Sequence, residues 1–233
     1  WNQLGDDIDG EGDYDGSGGS VSLSSNGTRV AIGAMYDNNY TGYINVYEYN
    51  GSSWNQLGDS IDGEAGQNYT GEILSLSSDG NVVATNIIVD EGVSYIKVYK
   101  YINSSWSQLG DNILDEELGD GDGRSVSLSY DGSIIAIGDQ YYNSSTGHVR
   151  VYQYNGSSWN KIEPNIDGES SNDKLGRSVS LSSDGTRIAI GGGGSSSNNT
   201  KGSVRVYEFI SVSEPEPQPV PEAESDEPEP VAE

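Results

Sequence analysis

The chain has 233 residues, of which 37 are acidic and 11 are basic, and its formal charge is -26. It has no cysteine and one histidine, which excludes disulfides, thiolate catalysis and metal sites built from several histidines. The negative charge excludes a nucleic-acid binder, because phosphate recognition needs clustered lysine and arginine, and it disfavours anionic membranes. No apolar run approaches the roughly 20 residues that cross a bilayer. The sequence starts at Trp1 without a visible signal peptide, as expected of a processed chain or a fragment.

A repeat of about 50 residues organises most of the chain. Tryptophans spaced by 53, 52 and 53 residues head four similar units, and they are Trp1, Trp54, Trp106 and Trp159. In each unit a stretch such as SVSLSSNGTRVAIGA follows, and then one such as GYINVYEYNGSS. The hydrophobic residues, 33% of the chain, fall in short alternating runs. This pattern suits thin sheets with many turns better than a helical core.

Each unit predicts four short strands. Strand A is the SVSLS stretch, strand B is RVAIG or IIAIG, strand C is a Val/Tyr alternation such as INVYEY, and strand D begins at the tryptophan. Dipeptides typical of tight hairpins separate A from B, and they are Asn26-Gly27, Asp79-Gly80, Asp131-Gly132 and Asp184-Gly185. No segment has a convincing helical period. Four antiparallel strands in a repeat of this length indicate an all-β fold and a β-propeller blade.

The ends of the array predict how the propeller is closed. Residues 1–8 form a lone D strand, and the last repeat supplies A, B and C up to Phe209. Pairing these segments would complete four four-stranded blades and remove two open sheet edges. A cut from a longer array of repeats is the alternative. The predicted domains are a propeller over 1–210 and an acidic proline-rich tail over 211–233, and the blade units lie at about 10–60, 61–112, 113–165 and 166–210 plus 1–9.

The repeats resemble a known family through the units WNQLGDDIDGE, SVSLSSNGTRVAIGA and GYINVYEYNGSSW. They are similar to the β-propeller repeats of extracellular microbial surface proteins, and distantly similar to the FG-GAP repeats of integrin α-subunits. The resemblance covers residues 1–210 and implies a secreted or surface-exposed binding or structural module. FG-GAP repeats often hold calcium in a D-x-D-x-D-G loop, which this chain matches only in part.

Calcium is the one cofactor that the sequence suggests. The connections from strand D to strand A carry Asp13 and Asp15 in repeat 1, and Asp120 and Asp122 in repeat 3. Alternating aspartates in a glycine-bent loop can direct several oxygens at one cation. The two pairs do not align with each other, and the competing interpretation is that these aspartates form Asx turns.

Four glutamates recur at one position of the repeat, and they are Glu11, Glu64, Glu116 and Glu169. A glycosidase pair needs two carboxyl groups in different environments, one protonated and one ionised. A residue repeated in every blade meets nearly the same environment four times. We therefore expect these glutamates to be structural, for example as caps of backbone N–H groups, and the protein not to be an enzyme.

Aromatic residues are expected to pack between blades. One large ring per unit, the tryptophan, is a suitable filler between twisted sheets, although exposed rings could also stack on sugars. The tyrosine pairs of strand C lie on one face and should contact the neighbouring blade. His148 occupies a position that is Tyr, Tyr and Ser in the other repeats, and is expected at the surface.

Glycosylation sequons fall mainly in predicted turns. Their asparagines are Asn26, Asn39, Asn50, Asn68, Asn103, Asn143, Asn155 and Asn198. Exposed turns can carry a glycan without disturbing the packing. Occupancy is expected only if the source has a eukaryotic secretory pathway.

The tail combines alternating proline and glutamate, which favours polyproline II over a packed core. We expect it to lie extended against another copy of the protein, with Ser211, Val212 and Ser213 as main-chain partners. The expected function is a non-catalytic extracellular structural protein that assembles with copies of itself into a filament or surface array. The alternative is an adhesin propeller that binds carbohydrate or protein and uses the tail as a passive linker.

Overall fold

The computed structural model describes residues 1–64, 69–89, 93–114, 125–194 and 201–210. Its strands form four separate antiparallel sheets, arranged as the four blades of a β-propeller. The predicted fold class is confirmed. Blades 1 to 3 run A, B, C and D in chain order, and blade 4 runs A, B and C over the described residues, so neighbouring strands follow each other along the chain.

The first two blades have five strands each. Blade 1 contains β1 (Ser20–Leu23), β2 (Arg29–Ala34), β3 (Tyr43–Tyr49), β4 (Trp54–Gln56) and β5 (Ile61–Asp62). Blade 2 contains β6 (Leu74–Leu76), β7 (Val82–Val89), β8 (Val93–Ile102), β9 (Ser105–Gln108) and β10 (Ile113–Leu114). In both blades the predicted strand D is split in two pieces that pair with the same strand C.

The last two blades are simpler. Blade 3 contains β11 (Ser125–Leu128), β12 (Ile134–Asp139), β13 (His148–Tyr154) and β14 (Trp159–Asp167). Blade 4 contains β15 (Leu175–Leu181), β16 (Arg187–Gly192) and β17 (Ser203–Glu208). Within the described residues blade 4 has no strand D, and β17 pairs only with β16.

The A–B hairpins differ from the prediction in one respect. Only the glycine of each Asx-Gly dipeptide has a positive φ, for example 71° at Gly27. The Asn26 side-chain oxygen accepts from the Thr28 N–H at 3.0 Å, and the Ser24 hydroxyl accepts from the Arg29 N–H at 2.9 Å. The loop is therefore longer than a two-residue hairpin and is held by side chains.

Two short turns labelled α1 (Asp37–Tyr40) and α2 (Tyr142–Ser145) lie between strands B and C of blades 1 and 3. Both contain left-handed residues, with φ of 46° at Asn38 and 45° at Asn143. Asparagine tolerates this conformation better than most residues. These B–C turns are therefore not regular helices, in agreement with an all-β chain.

The core lies between the blades. Strand C of one blade contributes Ile44 and Val46, which pack on Leu76 and Val83 of the next blade. Equivalent clusters join blade 2 to blade 3, and blade 3 to blade 4. We call the side of a blade that faces its successor the leading face, and the opposite side the trailing face.

The predicted closing strand is not seen. Residues 1–8 belong to no strand, and Leu4 lies against Trp54 of blade 1. The leading face of blade 4 is open, with Val204 73% and Val206 67% exposed. On the trailing face of blade 1, Leu23 is 57% exposed, whereas its counterpart Leu76 is 5% exposed. Residues 1–8 contact blade 1, and over the described residues they pair with no strand of blade 4.

Candidate functional site

Each of three tryptophans fills a slot formed with the preceding strand D. The indole Nε1 donates to a backbone carbonyl in the pairs Trp54 to Leu4, Trp106 to Leu57 and Trp159 to Leu109, at 2.8, 2.7 and 2.8 Å. A tyrosine of strand C lies against each indole, with ring centroids 5.1 to 5.2 Å apart. The expectation that the tryptophans pack between blades is confirmed for Trp106 and Trp159, which pack on interblade clusters. Trp54 lies against residues 1–8 instead. Trp1 is fully exposed.

A glycine follows each carbonyl acceptor because the indole lies directly above it. A Cβ on Gly58 would come within 3.2 Å of Trp106, and a Cβ on Gly110 within 2.9 Å of Trp159. Both glycines have positive φ, 76° and 73°. In the motif Trp-x-x-Leu-Gly, the Leu-Gly of one repeat therefore forms the slot that receives the tryptophan of the next repeat.

A cavity of about 470 Å³ lies between blades 3 and 4, on the side of strand D. Its apolar lining includes Ile134, Val151, Ile162, Leu181, Ile188 and Phe209. At the preceding junction the equivalent residues are Val98, Leu128 and Ile135, and Trp159 packs against their cluster. The blade 4 cavity thus corresponds in the repeat to a tryptophan slot. In the repeat, the position that would supply a tryptophan to this slot is occupied by Glu214, which lies outside the described residues.

The inner strands of consecutive blades are joined by one repeated hydrogen bond. The N–H of the strand A leucine donates to a serine hydroxyl of the blade before it, at 2.9, 3.1 and 3.0 Å, in the pairs Leu76 to Ser22, Leu128 to Ser75 and Leu181 to Ser127. Leu23 of blade 1 and Ser180 of blade 4 occupy the two unmatched positions, and both residues are exposed. The ends of the molecule therefore carry the two halves of one internal junction.

The glutamates of the repeat bind side chains of strand C. Glu64 forms an ion pair with Lys97, Glu169 lies 3.3 Å from Arg205, and Glu11 accepts from the Asn45 amide at 2.9 Å. The hydrogen bond and positive charge of Lys97 lower the pKa of Glu64. These contacts fit the expected structural role, and over the described residues Glu11 and Glu169 reach side chains instead of the predicted backbone N–H groups. Glu116 lies outside the described residues.

Aspartates provide the backbone capping instead. The Asp15 carboxylate accepts from the N–H groups of Ser17 and Gly12, at 2.8 and 3.2 Å, and from the Tyr43 hydroxyl at 2.9 Å. In blade 4, Asp173 accepts from two backbone N–H groups at 2.9 and 3.0 Å. Burial alone would raise the pKa of Asp15, and its hydrogen bonds from Ser17, Tyr43 and Gly12 lower it. This geometry is that of an Asx turn.

Asp13 and Asp15 also border a shallow polar pocket of about 650 Å³, whose aromatic lining is Tyr14, Tyr36 and Tyr40. Tyr14 is 96% exposed, and the rings of Tyr36 and Tyr40 meet edge to face with centroids 5.8 Å apart. Over the described residues, no group of three or more His, Asp or Glu side chains could hold a metal ion. Asp120 and Asp122, the second predicted calcium pair, lie outside those residues.

The remaining predicted positions have mixed outcomes. Six of the sequon asparagines are exposed, namely Asn26, Asn39, Asn50, Asn103, Asn143 and Asn155. Asn68, Asn198 and the tail positions Ser211, Val212 and Ser213 lie outside the described residues. His148, expected at the surface, is 1% exposed and stacks on Tyr142 with centroids 3.9 Å apart, because the B–C turn of blade 3 folds back over it.

Comparison with known proteins supports the architecture. No protein-family model matches the chain, and no curated protein sequence does. Similar solved structures include TolB from Acinetobacter baumannii, with 16% identity, a TM-score of 0.48, and coverage of 81% of this chain and 40% of that chain. Hydrazine synthase from Kuenenia stuttgartiensis has 16% identity, a TM-score of 0.49, and coverage of 80% and 49%. A mitotic checkpoint complex has 15% identity, a TM-score of 0.51, and coverage of 81% and 45%.

The chain thus spans less than half the length of each of these proteins. At such identities the likeness concerns the fold alone, and propellers support many unrelated functions. The chain is a four-bladed β-propeller repeat protein. In the part of the chain that the structure describes, no helix has the length and apolar composition to cross a membrane.

Proposed function

We propose that this protein is a non-catalytic extracellular structural protein, whose copies join end to end into a filament or array. The observation that supports this is the pair of open apolar faces, Val204 and Val206 on blade 4 and Val21 and Leu23 on blade 1. Each face is a counterpart of one that packs against the neighbouring blade at the three internal junctions. A contact between different faces of identical chains is heterologous and can propagate.

The extracellular part of the proposal is supported by the resemblance to microbial surface repeats and by the exposed sequons. The acidic tail could add a second contact between copies, as the sequence predicts. Two chains with the same negative charge repel each other. At an ionic strength of 0.1 M, salt largely screens the repulsion between exposed charges that are more than about 10 Å apart. End-to-end assembly should therefore strengthen as the ionic strength rises.

Mass photometry across a salt series tests the proposal on the full chain. We expect oligomers that grow with protein concentration, and monomers from the double variant Val204→Asp/Val206→Asp, with unchanged circular dichroism. A matched control is Tyr14→Ala, which removes an exposed ring that belongs to neither face. Truncation after Ile210 separates the two contacts, because it removes the tail and leaves both faces intact. A native chain that stays monomeric at every concentration and salt would refute end-to-end assembly.

The second candidate is a carbohydrate-binding adhesin, and the polar pocket of blade 1 is the observation that favours it. Exposed tyrosine rings can stack on sugar faces, and carboxylate and amide groups can accept from and donate to sugar hydroxyls. A glycan array with the native chain and with Tyr36→Ala/Tyr40→Ala tests this function. Binding that depends on the two rings would favour the adhesin.

A further inference from the structure

We propose that the blade 4 cavity receives Trp1 from a second copy of the chain. Residues 1–8 of that copy would add as a strand D to the edge of β17 that is unpaired within the described residues. This inference rests on the proposed end-to-end assembly and names the contact that would hold it together.

The first argument is the equivalence of the cavity to the occupied slots. The lining residues Val151, Leu181 and Ile188 correspond in the repeat to Val98, Leu128 and Ile135, whose cluster Trp159 packs against. Phe209 corresponds to Tyr154, the ring beside Trp159. The cavity therefore has the apolar walls and the aromatic neighbour of a tryptophan slot.

The second argument is the sequence of the inserted strand. Residues 1–9 read WNQLGDDID, and residues 54–62, which form strand D of blade 1, read WNQLGDSID. In blades 1 and 2 the tryptophan pairs with the last tyrosine of strand C, as in Tyr49 with Trp54. The same register on blade 4 pairs Phe209 with Trp1, and Tyr207 with Gln3 of the second copy.

The third argument is that residues 1–8 already lie where such a strand would be needed. The Leu4 carbonyl accepts from Trp54 of its own blade 1 at 2.8 Å, just as Leu57 and Leu109 of preceding D strands do for their successors. Residues 1–8 therefore lie as the strand D of a blade placed before blade 1. Blade 4 of a second copy, docked on that trailing face, would have the A, B and C strands that this position lacks.

The same docking would also form the leucine-to-serine hydrogen bond between the inner strands of the two copies. Leu23 N–H of one copy would meet the Ser180 hydroxyl of the other, as Leu76 meets Ser22 within the chain. Val21 and Leu23 would pack against Val204 and Val206. A single arrangement thus covers both open faces and fills the cavity.

The fourth slot departs from the others at one point. Glu163 and Pro164 of β14 stand where the other junctions have Gly-Asp, for example Gly110 and Asp111. Both residues line the cavity. Ile162 takes the place of the leucine and keeps an apolar wall on that side. Glu163 takes the place of the glycine, so the close approach of the indole seen at Gly58 and Gly110 is not repeated, and Trp1 would lie farther from this strand.

The test uses the full chain carrying Trp1→Ala, so that the native N-terminus does not compete. A peptide of residues 1–9, labelled with fluorescein at its C-terminus, is titrated with this protein and followed by fluorescence anisotropy. We expect saturable binding. We also expect at least tenfold weaker binding for the same peptide with Trp1→Ala, and for the chain with Phe209→Asp added. Tyr14→Ala in the chain is the matched control and should leave the affinity unchanged.

Failure of this inference is distinguishable from failure of the proposed function. Native chains that assemble while both peptides bind equally, or neither binds, would refute the Trp1 contact and leave end-to-end assembly standing. Native chains that remain monomeric while the peptide binds would refute end-to-end assembly, and only the claim that the blade 4 cavity binds this peptide would stand. Competition by a peptide of residues 211–219 would show that the tail occupies the cavity, and overturn the inference. A lower melting temperature of the monomeric Trp1→Ala chain would overturn it too, by placing Trp1 in its own chain.

Discussion

The indole Nε1 of Trp159 donates to the carbonyl oxygen of Leu109 at 2.8 Å, and so joins the outer strands of blades 3 and 2. The same bond recurs from Trp106 to Leu57, one junction earlier. Each bond closes the outer side of a junction whose inner side is closed by the leucine-to-serine bond. Each junction thus has an apolar layer between two hydrogen bonds, the tryptophan bond on the outer side and the leucine-to-serine bond on the inner side.

Removing the tryptophan side chain from one slot should destabilise the fold markedly. Trp159→Ala should lower the free energy of unfolding by about 3 kcal/mol, because it leaves a cavity in the blade 2–blade 3 cluster. Trp159→Phe keeps a ring but leaves the Leu109 carbonyl without its donor, at a cost of about 1–2 kcal/mol. Urea denaturation of a dilute sample measures both. Trp1→Ala is the control and should leave the stability unchanged, because Trp1 is fully exposed. A loss for Trp159→Ala no larger than that for Trp1→Ala would contradict the packing of Trp159.

The ion pair of blade 2 joins a buried lysine to an exposed glutamate and should respond asymmetrically to mutation. Lys97 has a side chain that is 9% exposed, whereas the Glu64 side chain is 61% exposed. Glu64→Ala leaves a buried ammonium without its carboxylate, and should cost about 1–3 kcal/mol. Lys97→Met removes the buried charge and leaves a carboxylate that water can solvate, so its effect should be near zero. Thermal denaturation of the two variants checks the order, and a larger loss for Lys97→Met would contradict it.

Acid should weaken the first D–A loop. Hydrogen bonds lower the pKa of Asp15 below its ordinary value of 3.8, so its ionised form stabilises the folded state at neutral pH. That contribution is complete above pH 3.8, and is lost as the pH falls through the lower pKa of the folded protein. Asp15→Asn should be less stable than the native chain at pH 7, and the difference should shrink toward pH 3. A difference that is independent of pH would show that the carboxylate charge is not involved.

Calcium should not bind saturably at the Asp13/Asp15 loop, because the Asp15 oxygens already accept from two N–H groups and a hydroxyl. Isothermal titration into chelator-treated protein with Asp120→Asn/Asp122→Asn isolates this loop from the other predicted calcium pair. A saturable heat that disappears when Asp13→Asn is added would show a calcium site there. The native chain, titrated in parallel, tests the second pair.

Much of the architecture could be predicted because its signals are local. The alternation of Val and Tyr in β3 and β13, and the glycine in each A–B hairpin, depend on neighbours within a few residues. The repeated Trp-x-x-Leu-Gly motif could likewise have indicated the slot at Gly58 and Gly110. His148 was misplaced because its burial depends on Tyr142, which reaches it through a left-handed turn that has no clear sequence signature.

The amino-acid sequence alone determined the four repeats, the order of strands in each blade and the all-β class. Hydrogen-bonded hairpins pair adjacent segments, and the period of two residues in each strand selects the buried face. Only the tertiary structure decided that Leu4 lies on blade 1, that Glu64 reaches Lys97, and that the cavity falls beside Phe209. These contacts join segments far apart in the chain, and their geometry depends on how whole blades pack against each other.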